Sequence, residues 1–149
     1  MDWRAPIGHR AAALVALGAN LLNLFDRAPA RATKVAALWW VFLLAGTAVA
    51  RSTTDVAALA WSATAVGAAI GLAPTEIRER HMQGDTGVNA VGALLGLSVA
   101  IVGSAPAQWG VLAVLAALNL LSERVSFTLM IDHTPPLRWF DRLGSPFRS

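Results

Sequence analysis

Two short patterns hold most of the side chains in this sequence that could do chemistry. The first is Asn20-Leu-Leu-Asn23-Leu-Phe-Asp26. Two amides and a carboxylate at i, i+3 and i+6 wind over about 120° of a helix. Polar groups in an apolar helix are costly, and they face a bundle interior or a water-filled cavity. The asparagines could equally serve as interhelical hydrogen bonds, with Asp26 an ordinary loop acid. The second pattern is Gly84-Asp85-Thr86-Gly87. Glycines around an acid at a helix start leave backbone N–H groups open to a phosphate. The carboxylate could instead hold Mg²⁺, which takes one or two carboxylates together with phosphate oxygens. The plainer alternative is that Asp85 or Thr86 caps the helix.

The elements that must carry these groups follow from where charge is missing. Of 149 residues, 56% are hydrophobic and 14% are charged, with a mean hydropathy of +0.54. A soluble domain carries about 25% charged residues. No Asp, Glu, Lys or Arg occurs in Val35–Ala50, Val56–Thr75 or Thr86–Ser122. A bilayer core selects such runs, so a soluble globular domain, a disordered tail and a β-sandwich are all excluded. The expected fold is all-α: a polytopic membrane bundle over residues 1–122, followed by a tail at 123–149. Five spans are expected near residues 11–25, 35–50, 56–73, 88–103 and 107–121, the first being the least apolar because it contains Asn20 and Asn23.

The connecting segments alternate in charge. Arg4, Arg10 and Arg51 fall on one side; Arg27, Arg31, Lys34, Arg78, Arg80, Arg124, Arg138, Arg142 and Arg148 fall on the other. Cytoplasmic loops collect Arg and Lys, which places the 26–34 and 74–87 loops and the tail in the cytoplasm and the N-terminus outside. The same rule accounts for the sequence pI of about 11.0 without nucleic acid. Trp39 and Trp40 lie toward the inner end of the second span, with Trp61 and Trp109 toward outer ends, where interfacial belts form. Gly67-x-x-x-Gly71 and Gly92-x-x-x-Gly96 each put two glycines on one helix face and read as helix-packing pairs. In the tail, Leu137–Leu143 could form an amphipathic stretch at the surface, with Trp139 and Phe140 as its anchor. The absence of cysteine excludes disulfides and thiolate sites, and no signal-peptide pattern opens the chain.

The charge count places Asp26 and Asp85 at the same membrane face, each at a helix end, with Arg27, Arg31, Lys34, Arg78 and Arg80 nearby. Two acids and several cations there suit a metal and a phosphorylated ligand. At this point the sequence resembles the polyprenyl-phosphate N-acetylhexosamine-1-phosphate transferases, which include phospho-N-acetylmuramoyl-pentapeptide transferase. The likeness is carried by Asn20-x-x-Asn23-x-x-Asp26 and by Met82-Gln-Gly-Asp-Thr-Gly-Val-Asn-Ala-Val-Gly-Ala-Leu-Leu-Gly96. Glu123-Arg-Val-Ser-Phe-Thr and Pro135-Pro-Leu-Arg-Trp-Phe-Asp-Arg-Leu-Gly144 are similar to the ending of a shorter branch of that family.

The resemblance implies transfer of a sugar-1-phosphate from a UDP-sugar to a polyprenyl phosphate at the cytoplasmic leaflet of the cell membrane, with release of UMP and with Mg²⁺. It implies Asp26 as the catalytic aspartate and Asp85 as the metal ligand. Asn20, Asn23, Gly84, Thr86 and Gly87 become substrate-binding residues. The family's paired-aspartate motif and its earlier spans have no counterpart here, so the likeness covers the family's C-terminal half. The expectation is therefore half of a transferase site, inactive alone. It would be completed by upstream residues after a late start, by a separate N-terminal subunit, or by a second copy of the chain. Two other classes compete: a non-catalytic membrane module that binds polyprenyl phosphate or scaffolds envelope enzymes, and a small transporter subunit.

Overall fold

The computed structural model describes residues 6–50 and 59–144. Arg4, Arg51, Arg148 and the first residues of the third expected span lie outside the described residues. Those described form seven helices and no strand: α1 (Pro6–Phe25), α2 (Arg31–Ala50), α3 (Ala60–Ile77), α4 (Gly84–Val102), α5 (Ala105–Ser122), α6 (Phe127–His133) and α7 (Pro135–Arg142). Three of them, α2 over Arg31–Val49 and the whole of α4 and α5, are long and apolar enough to cross a membrane.

Helix boundaries have local causes. Ser104 caps α5 by accepting from the Ala107 N–H, and Ser126 likewise caps α6 through Leu129. Prolines open α5 and α7, where a missing N–H costs nothing. Gly84, at φ +69°, makes the left-handed turn into α4 that a residue with a Cβ resists. Two ends differ from expectation. The third helix continues through Pro74 to Ile77, so Glu76 is helical; α2 starts at Arg31, so Arg31 and Lys34 belong to its first turn and not to a loop.

Helices α1 and α4 run antiparallel at the centre. A Cβ on Gly92 or Gly96 would collide with the backbone of Gly18 or Leu14, and one on Gly18 would lie 2.7 Å from the Gly92 carbonyl oxygen. Around this seam sit two cores. Leu22, Ala36, Val66, Val88 and Leu95 join α1, α2, α3 and α4; Leu14, Val99, Leu115 and Phe127 join α1, α4, α5 and α6. Phe25 stacks on Phe127 with centroids 5.0 Å apart, tying the end of α1 to α6.

The surface is inverted relative to a soluble protein. Phe42 is 73% exposed, Trp61 76% and Val49 83%, whereas Ser62 and Glu76 are buried. Soluble proteins leave large apolar residues exposed singly and bury few charges. An apolar exterior over long apolar helices is compatible with a membrane protein.

Candidate functional site

The antiparallel seam brings the end of α1 and the start of α4 to one end of the bundle, and with them Asp26 and Asp85. The Gly84 backbone N–H faces the Asp26 carboxylate and favours its charged form, so the residue after α1 engages the first turn of α4. Its pKa is raised, first because burial disfavours the charged form, then through the negative charges of Glu76 and Asp85; the Gly84 N–H acts in the opposite direction. Asp85 and Thr86 are exposed at the surface. The residue before α4, Gln83, gives no side-chain cap, and Asp85 sits within the first turn, where an acid complements the helix dipole.

A buried network that sequence reasoning did not single out holds this end in place. Glu76 is 1% exposed. Its carboxylate accepts from the Thr33 hydroxyl at 2.8 Å and from the Gln83 N–H at 2.9 Å. The Gln83 side-chain amide in turn donates to Thr33 at 2.7 Å. Helices α2 and α3 and the approach to α4 are thereby locked together one residue before Gly84. One signal was present in the sequence: Gln83 directly precedes the Gly-Asp pair.

The asparagines lie elsewhere. Asn20 turns toward α5 and donates to the Asn119 side chain, whose own amide donates to the carbonyls of Leu17 and Leu115. This is the interhelical bonding that formed the alternative reading of Asn20. Asn23 is half-buried in the last turn of α1, and Gly87 packs on Gln83.

Two of the five cations grouped with the acids are committed to the tail. Arg31 forms a bidentate pair with Asp141 (Nε to Oδ1 at 2.6 Å, Nη2 to Oδ2 at 2.8 Å) and also donates to Thr128 at 2.9 Å. Lys34 donates to the backbone carbonyls of Phe140, Asp141 and Leu143. Arg27, Arg78 and Arg80 remain exposed at this end. His81 pairs with the Thr75 hydroxyl at 2.9 Å.

A cleft between α1 and α5 of about 600 Å³ is lined by Leu17, Leu24, Ala116 and Leu120 together with Asn20 and Asn119. It adjoins a more polar cavity of about 250 Å³ that carries Arg27, Arg124 and Ser126 and shares Leu24, Ser122 and Glu123 with it. The two spaces together set leucine side chains beside the amides of Asn20 and Asn119, the guanidinium groups of Arg27 and Arg124, and the carboxylate of Glu123.

Among the described residues, no three His, Asp or Glu side chains converge as a complete metal cage. The exposed carboxylate of Asp85 still fits Mg²⁺, which keeps waters and takes one or two carboxylates with substrate phosphates. Searches of protein-family models, curated proteins and solved structures return no match to this chain.

Proposed function

We propose that the chain is the C-terminal half of a membrane transferase that moves a sugar-1-phosphate from a UDP-sugar to a polyprenyl phosphate, inactive until the remaining half is supplied. The single observation that carries this reading is the meeting of Asp26 and Asp85 at one end of the α1–α4 seam, in a chain whose motifs resemble that family. The cleft ending at Arg27 and Arg124 supports a phosphorylated lipid as the acceptor. In this reading all five long helices span the inner or plasma membrane, and the acid-bearing end faces the cytoplasm, where most of the arginines gather.

Mg²⁺, which Asp85 would hold, would supply charge neutralisation at the reacting phosphates. The first turn of α4, with Thr86 and Gly87, would present backbone and hydroxyl donors to the same oxygens, and Gly84 would shape the turn that opens them. Asp26, kept more basic by its burial, is placed to hold the proton of the acceptor phosphate. The acceptor oxygen bonds to the β-phosphorus, the bond to the bridging oxygen breaks, and UMP leaves. Asn20 and Asn23 support the end of α1 from which Asp26 projects.

The test uses the native assembly purified from host membranes. Mg²⁺-dependent UMP release from a UDP-sugar plus polyprenyl phosphate is expected, with Asp85→Asn reducing turnover at least about 100-fold, the scale of losing an electrostatic stabiliser. The Arg27–Arg124 cleft favours a second reading, a non-catalytic module that binds polyprenyl phosphate. That reading predicts no UMP release from any assembly, and lipid binding that survives Asp85→Asn but falls in Arg124→Gln.

A further inference from the structure

The tail helix α7 has two unlike sides. Its inner side is fastened to the start of α2: Asp141, the one acid on α7, is buried in the Arg31 pair, and Phe140 lies under the Lys34 ammonium at 5.9 Å. At about 3.6 residues per turn, Arg138, Trp139, Arg142 and Leu143 fall on the other side. They line a shallow surface depression of about 440 Å³ with Pro135 and Gly144. Trp139 is 67% exposed. This face therefore carries two guanidinium groups, an indole and a leucine, and no acid.

Its level in the molecule is fixed by what it is tied to. Arg31 is the first residue of α2, one of the helices long and apolar enough to cross a membrane. A helix bonded to that residue lies where a spanning helix leaves the hydrocarbon, at the depth of phospholipid headgroups. Indole rings partition to that depth, and arginines there are drawn to acidic lipids. We propose that the outward face of α7 binds acidic phospholipid headgroups of the leaflet in which α2 begins, with Arg138 and Arg142 on the phosphates and Trp139 and Leu143 at the acyl boundary. The Arg31–Asp141 pair and the Lys34 contacts hold the helix flat for this contact. The proposal rests on the membrane placement of α2 and is separable from any catalytic role.

The test uses the full chain in nanodiscs of phosphatidylcholine alone and of an equal mixture with phosphatidylglycerol. Co-elution with disc lipid reports the membrane placement by itself. Amide exchange over residues 138–143 is expected to slow roughly ten-fold or more in the acidic discs, each arginine contributing about five-fold. The double variant Arg138→Gln/Arg142→Gln should abolish that difference. Because the chain has no cysteine, Leu143→Cys carries a single fluorophore, which should be shielded from iodide more strongly in acidic discs. Equal exchange in the two discs, equal iodide quenching, or a full lipid effect in the double variant would each overturn the proposal. Failure to enter either disc would overturn it together with the membrane placement beneath it.

Discussion

The α1–α4 seam and helix α3 carry the same glycine spacing and use it in opposite ways. Gly92 and Gly96 lie against the backbone of α1, whereas a Cβ at Gly67 or Gly71 would meet nothing within 4 Å. The sequence expectation treated both pairs as packing faces; only the first packs within the described chain. What separates them is the facing surface. Gly18 and the carbonyl of Leu14 let two backbones approach at Gly92 and Gly96, and among the described residues nothing stands within 4 Å of a Cβ at Gly67 or Gly71. A small-residue pair is thus only half of a contact. The seam also has the larger consequence, because it ends at Asp26 and Asp85, while α3 reaches the site only through Glu76.

The largest expected effect comes from breaking the seam. Gly96→Val should cost about 3 kcal/mol or more by overpacking against the Leu14 carbonyl, seen as a lowered unfolding midpoint in detergent. It should also separate the two aspartates and abolish transfer in the native assembly. Glu76→Ala tests how α3 is held: leaving the Thr33 hydroxyl and Gln83 N–H unsatisfied in a buried site should cost about 1–3 kcal/mol. Hydrogen exchange should show the loss at residues 78–85, with the seam left protected.

A smaller effect, of opposite sign, is expected at Asp26. Its folded pKa is raised, so the folded state binds protons more readily than the unfolded one. Stability from this group is fully present below its unfolded pKa and is lost as pH rises through the folded value. Asp26→Asn should therefore melt higher than the parent at pH 7. The gap should narrow as pH falls through the folded pKa and be gone below the ordinary carboxylate value of 3.8, as thermal scans over pH 3–8 would show. Smallest of all, Gly67→Ala and Gly71→Ala should shift the stability of the isolated chain by no more than about 0.5–1 kcal/mol, toward greater stability. If a partner packs on α3, the same substitutions should weaken that association, which co-purification yield would measure.

Local features gave the broad plan. Hydropathy located the five long helices, and alternation of charged connections placed Asp26 and Asp85 at one end. Hidden from view were contacts whose partners lie far along the chain. Asn20 meets Asn119, 99 residues away, and nothing at position 20 specifies that partner. Arg31 and Lys34 read as free loop cations because their partners lie on α7. Glu76, among the charges of Thr75-Glu-Ile-Arg-Glu-Arg80, read as a solvated connection; helix α3 buries it by continuing past Pro74. Burial of a charge depends on what packs over it, which periodicity alone does not reveal.

The Arg31–Asp141 pair also orders events during synthesis. Asp141 emerges 110 residues after Arg31, which at ribosomal rates of about 5–20 residues per second is a delay of roughly 5–20 s. Through that interval the head of the second helix must keep its guanidinium hydrated, and the growing chain cannot seal that end of its bundle. Closure waits for α7, so a nascent chain stalled before Asp141 stays open at the end where the aspartates meet.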